Sequence, residues 1–296
     1  MRPANPSVRT VLLATDLSDS SLPPLQYATE VAHVYAAKLL LVHVLAPTEL
    51  EAADSMTCYL RDQAKSAKSE LSRIGQSLLA AAGITSEIVV RCGDVRDVLF
   101  QVQQEYSADI VVVGSGGKET TFARNHDSIA ELAISSMPCS VIAVGPNVAW
   151  HPPYGPATTF LFPFDFSATS CSAIPSAISL ARDWSAILVL LHVCDHDHFP
   201  CTKLEVECSK TLNDVAAFIR NQGVRTRHLI QKGHIAESIL ASTKEQIVDF
   251  IVTDACFESG KSVDRARAQS AVAQLLAKAN CPIFSLSRQG LSQKSH

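Results

Sequence analysis

The sequence lacks the features that mark membrane proteins and nucleic-acid-binding proteins. Its net charge is −4 and its pI is near 6.2, so it offers no basic surface to nucleic acid or to an anionic membrane. The longest apolar run, Ala186–Leu191, is far shorter than the roughly 20 residues that span a bilayer. Residues 1–6 lack the apolar segment of a signal peptide, so we expect no secretory leader. We therefore expect neither nucleic acid nor a membrane as a partner.

Recognisable catalytic motifs are also missing. The sequence has no Gly-x-Ser-x-Gly elbow and no His-Glu-x-x-His pair. A Walker loop is missing too, because the Gly-Lys-Ser at 260–262 is preceded by Ala255 where that motif requires glycine. No residue is marked as a general base, so we do not predict an enzyme, and slow ATP hydrolysis is the most turnover that we expect.

The nine cysteines show no disulfide-scaffold spacing. Their number is odd, and they are scattered through segments that resemble strands and helices. Thiols in this pattern are typical of a reducing compartment, where most of them behave as small buried apolar groups. The sequence therefore predicts a cytoplasmic protein.

The chain contains an internal repeat. The segment Val11–Ser18 returns as Phe160–Ser167, and Leu39–Val44 returns as Leu188–Val193, both at an offset of 149 residues. A period of this length indicates a duplicated domain, because solenoid units run to only about 20–50 residues. The copies are separated by a turn-rich stretch over 145–156, and we predict domains at 1–150 and 151–296.

Each copy alternates short apolar runs with longer helical stretches. The apolar runs are continuous, which predicts strands covered on both faces and therefore a parallel sheet with helices on both sides. The predicted strands of the first copy are Thr10–Thr15, Leu39–Leu45, Glu87–Arg91, Ile110–Gly114 and Ser140–Val144. Those of the second copy are Phe160–Phe164, Ile187–Val193, Thr226–Gln231, Phe250–Thr253 and Ile283–Leu286.

A glycine-rich loop follows the fourth predicted strand. It reads Gly-Ser-Gly-Gly-Lys over 114–118, and a helical stretch begins at Ser128. Glycines let backbone N–H groups converge on an anion, and a helix N-terminus adds its positive dipole end. The alternative is a capping box formed by Ser128 and Glu131, which needs no ligand.

These segments together resemble the universal stress protein family. The resemblance rests on the Thr-Asp-Leu-Ser after the first strand, the Leu-Val-His-Val strand, the Gly-x-x-Gly loop with its later Ser, and the Met-Pro-Cys before the last strand. It covers nearly the whole chain in two tandem copies and implies two Rossmann-like α/β domains, each with a five-stranded parallel sheet. It also implies that the two domains pack as an internal pseudo-dimer, in a chain that is a monomer or a homodimer.

The resemblance implies an adenine-nucleotide site in the first domain, for ATP or a related nucleotide, with or without Mg²⁺. Matching the family motif residue by residue assigns Asp16 and Val44 to the base, with Thr15 beside them. For the phosphates it assigns Gly114, Gly117 and Ser128. Lys118 lies within the loop, and we infer from its charge, not from the family motif, that it adds to the phosphate end.

One position departs from the family pattern. Asp127 stands where the family has a glycine immediately before the Ser. A carboxylate about 5 Å from a phosphate costs on the order of 3 kcal/mol per unit charge at an effective dielectric of 20. Asp127 is expected to weaken phosphate binding unless it turns away, is protonated or shares a Mg²⁺ ion, and the alternative is a helix cap in a protein that binds no nucleotide.

The second copy departs further. Asp254 and Phe257 replace the two loop glycines, and Gln269 precedes the equivalent serine. Asp165 keeps its place after the first strand of that copy, and His192 keeps its place near the end of the second strand. We therefore predict a degenerate domain that acts as a structural partner.

Two other functions remain open. The run from His192 to Cys201 collects histidine and cysteine side chains, which are natural ligands of zinc and copper, and it has no counterpart in the first copy. It therefore leaves a metal or redox sensor as an alternative. The second alternative is a scaffold that binds an unidentified protein partner and no nucleotide.

Overall fold

The fold consists of two compact units, which divide between Val144 and Gly145. The computed structural model describes residues 8–45, 53–79, 82–115, 128–150, 158–194, 202–254 and 271–287. The predicted boundary at residue 150 lies a short distance beyond this division and stays a prediction.

The first unit alternates strands and helices. Its strands are β1 (Thr10–Ala14), β2 (Lys38–Leu45), β3 (Ser86–Cys92), β4 (Ile110–Gly114) and β5 (Ser140–Val144). Its helices are α1 (Leu22–Tyr35), α2 (Ala53–Ile74), α3 (Val95–Glu105) and α4 (Ile129–Ser136), with a 3-10 turn at Asp19–Ser21 and a π turn at Gly75–Leu79.

The strands of the first unit form a parallel sheet in the order β3-β2-β1-β4-β5. The chain moves outward from β1 to β2 and β3 and then returns to place β4 on the other side of β1. The winding therefore reverses between β1 and β4, and ligands of such sheets bind beyond the carboxyl ends of the strands at this point.

Burial explains why the central strands are apolar along their whole length. Leu39–Val42 of β2 and Ile110–Val113 of β4 are at most 1% exposed, so helices cover both faces of the sheet. This confirms the α/β fold that the continuous apolar runs predicted.

The second unit repeats this arrangement. Its strands are β6 (Thr159–Pro163), β7 (Ile187–Cys194), β8 (Arg225–Lys232), β9 (Phe250–Asp254) and β10 (Ile283–Leu286). Its helices are α5 (Ala168–Asp183), α6 (Thr202–Asn221), α7 (Ile235–Glu245) and α8 (271–278). The strands are parallel in the order β10-β9-β6-β7-β8, and the winding reverses between β6 and β9.

The strand ends differ from the prediction by a residue or two, and at β1 the difference has a clear cause. The predicted first strand runs to Thr15, whereas β1 ends at Ala14: the Thr15 N–H still donates to the Val42 carbonyl, but the Thr15 carbonyl accepts from a side chain. In the part of the chain that the structure describes, no helix combines the length and the apolar composition needed to cross a membrane.

Candidate functional site

Asp16 forms a tight turn immediately after β1. Its Oδ1 accepts hydrogen bonds from the Ser18 N–H (3.0 Å), the Ser18 hydroxyl (2.6 Å) and the Ser21 hydroxyl (2.6 Å). Leu17 takes a positive φ of 60°, which costs an L-residue roughly 1–2 kcal/mol. The hydrogen bonds offset this cost and fix the carboxylate at the carboxyl edge of the sheet, and its role in ligand binding stays a prediction.

Val44 lies on β2 just beyond its last registered pair with β1. That last pair joins Ala14 to Val42, and the Thr15 N–H then donates to the Val42 carbonyl at 2.9 Å. Alternate residues of a strand direct their backbone groups to the same side, so the N–H and C=O of Val44 also face the β1 side. The structure thus places Thr15, Asp16 and Val44 at the carboxyl ends of the neighbouring strands β1 and β2, and their role in binding a base stays a prediction.

Gly114 ends β4 beside the first turn of α1. A Cβ atom at Gly114 would lie 3.1 Å from Pro24 Cγ, which is tighter than an ordinary contact. The next residue, Ser115, donates its N–H to the Val144 carbonyl at 2.9 Å. Gly114 therefore already has a packing role that requires no ligand.

Ser128 caps α4, and the predicted capping contact is present. Its hydroxyl oxygen accepts a hydrogen bond from the Glu131 N–H at 3.2 Å and donates one to Glu131 Oε1 at 3.2 Å. The Glu131 carboxylate therefore lies beside the hydroxyl that the sequence assigns to a phosphate. Sequence reasoning identified this residue only as a cap and missed its charge at the phosphate end.

Three residues of the predicted phosphate end cannot be placed. Gly117, Lys118 and Asp127 lie outside the described residues. Of the residues that the sequence assigns to the phosphates, the structure describes Gly114 and Ser128. Their roles in phosphate binding stay predictions.

The turn after β6 reproduces the turn after β1. Asp165 Oδ1 accepts from the Ser167 N–H at 2.9 Å and from the Ser170 hydroxyl at 2.6 Å, and Phe166 has a φ of 62°. Burial alone would raise the pKa of the Asp165 carboxyl, but the hydrogen bonds from Ser167 and Ser170 outweigh burial and lower this pKa. Asp165 is therefore ionised at neutral pH.

Aromatic rings cover this second turn. The Phe166 ring lies 4.5 Å from the His192 ring and 5.1 Å from the Phe164 ring, measured between centroids. Phe164 is 2% exposed. These rings occupy the positions that Thr15 and Leu17 hold in the first unit, and β9 ends in Asp254 where β4 ends in Gly114. The second unit therefore has phenylalanine rings beside its aspartate turn and a carboxylate at the end of β9.

The family comparison is decisive for the whole chain. The family model described as "Universal stress protein family" matches residues 7–145 and again residues 157–284. The chain belongs to the universal stress protein family. It does so in two tandem domains, as the repeat predicted.

Solved universal stress proteins share the fold. A universal stress protein from Archaeoglobus fulgidus is 20% identical, with a TM-score of 0.71 over 95% of this chain and 97% of that chain. A putative universal stress protein from Pseudomonas aeruginosa is 14% identical, with a TM-score of 0.58 over 95% of this chain and 93% of that chain. A search of curated proteins found no match.

A single-domain member of the universal stress protein family matches half of the chain. This protein, solved in complex with cAMP, is 26% identical over 47% of this chain and 98% of that chain, with a TM-score of 0.33.

Cysteine and histidine ligands for the alternative metal site are only partly described. His192 Nδ1 bonds the Phe164 carbonyl at 2.8 Å, and Cys194 ends β7, whereas residues 195–201 lie outside the described residues. Among the residues that the structure describes, no three His, Cys, Asp or Glu side chains are grouped so that they could hold a metal ion.

Proposed function

We propose that this universal stress protein is a sensor whose first domain binds one adenine nucleotide at the carboxyl ends of β1, β2 and β4. The observation that supports this most directly is the opening between β1 and β2. There the N–H and C=O of Val44 face the side of β2 on which β1 lies, but β1 has ended before it reaches Val44. The fixed carboxylate of Asp16 follows the end of β1.

The chemistry of this opening suits the edge of a purine base. Adenine presents an amino donor beside a ring-nitrogen acceptor, and one extended residue presents an N–H donor and a C=O acceptor on the same side. The Val44 backbone therefore supplies the complementary pair. Asp16 adds a hydrogen-bond acceptor for an amino or hydroxyl group of the nucleoside.

The phosphate end supports only modest affinity. Gly114 and the Ser128 end of α4 lie at the same edge of the sheet, but Glu131 Oε1 is 3.2 Å from the Ser128 hydroxyl. This negative charge opposes a phosphate group at that hydroxyl. We therefore propose that binding energy comes mainly from the base and the nucleoside, and that Mg²⁺, if bound, reduces the repulsion.

The second domain is proposed as a structural partner that does not bind the nucleotide. Phe164 and Phe166 place aromatic rings beside the turn after its first strand, and Asp254 adds negative charge where the first domain has Gly114. We also place the protein in the cytoplasm, because the described cysteines Cys92, Cys139, Cys171, Cys194, Cys208 and Cys281 are free thiols.

Isothermal titration of nucleotide-stripped protein with ATP, ADP and AMP, with and without Mg²⁺, tests this proposal. We expect one site per chain, lost in Asp16→Ala and kept in Asp165→Ala. The two variants form a matched pair, because both remove a carboxylate that holds the same kind of turn. Circular dichroism of each variant checks that the fold is retained. Absence of heat with every nucleotide, or loss of binding in Asp165→Ala alone, would contradict the proposal.

A further inference from the structure

His43 makes a side-chain hydrogen bond that changes the backbone ladder at the candidate site. Its Nδ1 lies 2.8 Å from the carbonyl oxygen of Thr15. A carbonyl oxygen can only accept, so Nδ1 carries the proton and donates it. His43 is half-buried on β2, between Val42 and Val44.

The ladder geometry shows what this hydrogen bond replaces. The Thr15 N–H donates to the Val42 carbonyl on one side of β2, and the Gly93 N–H donates to the Leu45 carbonyl on the other side. Even-numbered residues at the end of β2 thus face β1, and odd-numbered ones face β3. A continuing parallel ladder would pair the Val44 N–H with the Thr15 carbonyl, and the Val44 carbonyl with the Leu17 N–H.

Both of these backbone partners are engaged elsewhere. The Thr15 carbonyl accepts from His43, and the Leu17 N–H donates to Thr15 Oγ1 at 3.1 Å. Within the described residues, no backbone hydrogen bond joins Val44 to Thr15 or to Leu17. The β1–β2 ladder thus ends at the pair of Ala14 with Val42, and side chains of His43 and Thr15 bond the two backbone groups that would continue it.

We infer that His43 is a positioning residue that keeps the Val44 backbone available for the edge of the nucleotide base. This inference rests on the proposed function for its ligand, but its structural part stands on the hydrogen bonds alone. His43 is not assigned to contact the nucleotide itself. It acts by holding the Thr15 carbonyl against its own Nδ1, which orients this carbonyl away from a ladder bond with the Val44 N–H.

The second domain provides a matched control for this inference. His192 Nδ1 lies 2.8 Å from the Phe164 carbonyl, so the same hydrogen bond is made in a turn that phenylalanine rings flank. A role in domain stability alone predicts that His43→Leu lowers the free energy of unfolding and leaves ATP affinity unchanged. A positioning role predicts that ATP affinity falls in His43→Leu and not in His192→Leu.

The experiment measures ATP affinity by calorimetry in wild type, His43→Leu, His43→Asn and His192→Leu. We expect His43→Leu to weaken binding up to about tenfold, because a net hydrogen bond contributes about 0.5–1.5 kcal/mol and about 1.4 kcal/mol corresponds to a factor of ten. His43→Asn should restore affinity to within about threefold, since its amide N–H can donate from nearly the same distance along the side chain. His192→Leu should bind ATP as wild type does.

A second readout is independent of ligand binding. Amide exchange in ¹⁵N-valine-labelled protein without nucleotide should show the Val44 N–H weakly protected in wild type. In His43→Leu its protection should rise at least about tenfold, because the freed Thr15 carbonyl can accept it.

The outcomes separate this inference from the proposed function. If wild type binds no nucleotide but Val44 protection rises in His43→Leu, the proposed function fails and the structural role of His43 holds. If His43→Leu binds ATP as wild type does, if His43→Asn restores nothing, or if His192→Leu weakens binding equally, the inference is overturned. Unchanged Val44 protection in His43→Leu would overturn it as well.

Discussion

The turns after β1 and β6 have nearly the same backbone but different surroundings. Each places an aspartate before a residue of positive φ, with φ values of 60° and 62°, and each has a histidine bonded to the preceding carbonyl at 2.8 Å. Thr15 and Leu17 flank the first aspartate, whereas Phe164 and Phe166 flank the second.

The shared turn therefore belongs to the fold of both domains. Whether such a turn can take a ligand depends on the residues that flank it, and these differ between the two domains. The aspartate of the second turn accepts the same kind of serine hydrogen bond although phenylalanine rings flank that turn. These hydrogen bonds therefore do not depend on a ligand. Thr15 supplies a hydroxyl that engages the Leu17 N–H, and phenylalanine cannot replace it in this respect. Both aspartates are exposed, but the residue before the first is a half-buried threonine, whereas the residue before the second is a buried phenylalanine.

The largest effect on this comparison is expected from truncating the aromatic cover. Phe164→Ala should destabilise the protein by about 3–5 kcal/mol, because Phe164 is 2% exposed and the ring leaves a cavity beside Phe166 and Phe162. Urea unfolding measures this loss. The matched change in the first turn, Thr15→Ala, should cost about 1 kcal/mol or less, since it removes one hydroxyl hydrogen bond.

An equal loss of unfolding free energy in Phe164→Ala and Thr15→Ala would contradict the assignment of the Phe164 ring to the packed interior of the second domain. Phe100→Ala provides a control for loss of a phenyl ring at a position that is 39% exposed, and it should cost clearly less than Phe164→Ala.

A smaller effect is expected at the phosphate end of the first domain. Glu131→Gln should strengthen ATP binding about tenfold at low salt, because it removes a charge 3.2 Å from the Ser128 hydroxyl and glutamine can keep the capping box. The gain should be larger for ATP than for AMP, because the repulsion grows with phosphate charge. Calorimetric titration with both nucleotides measures the two gains.

Glu245→Gln is the control for this charge change. Glu245 is an exposed carboxylate that ends α7 in the second domain, outside the elements that form the candidate site. An equal gain in both variants would show a general effect of net charge, and no gain in Glu131→Gln would contradict the electrostatic account of the phosphate end.

The sequence predicted the strands well because their cause is local. Continuous apolar runs such as Leu39–Val42 are buried on both faces, and any sheet that buries them in this way needs helices on both sides. The repeat then predicted that Asp16 and Asp165 take equivalent places, and the structure gives them matching turns. These inferences need only composition, order and period.

Parts of the site could not be predicted because they depend on register and side-chain direction. The repeated histidine at His43 and His192 was visible, but its acceptor is a backbone carbonyl on another strand. The aromatic residues of the second turn were visible as well, but only packing shows that Phe166 lies against His192. Glu131 was recognised as part of a cap, and its position beside the candidate phosphate site required the distance.

The smallest effect is expected at the amino edge, where an aspartate holds the start of the first strand in each domain. Asp109 Oδ2 accepts from the Arg9 N–H at 2.7 Å and the Thr10 N–H at 3.1 Å, whereas Asp249 Oδ2 accepts from the Thr159 N–H at 2.7 Å. Burial raises the pKa of the Asp249 carboxyl, more than the Thr159 hydrogen bond lowers it.

A raised pKa in the folded state fixes the sign of the pH dependence. Between the ordinary aspartate pKa of about 3.9 and the raised value, the folded state binds more protons than the unfolded state. The contribution of Asp249 to the free energy of unfolding is therefore most favourable below this window and falls as the pH rises through it.

Asp249→Asn should therefore be neutral or stabilising by less than about 1 kcal/mol at pH 7, because the amide oxygen keeps the Thr159 contact without a buried charge. Asp109→Asn should destabilise by about 1 kcal/mol, since its carboxylate makes charge-assisted bonds to two N–H groups. Urea unfolding at pH 7 and at pH near 4 measures both variants, and the gain in Asp249→Asn should shrink at the lower pH. A loss as large as that of Asp109→Asn would show that the negative charge of Asp249, and not only its acceptor oxygen, holds the start of β6.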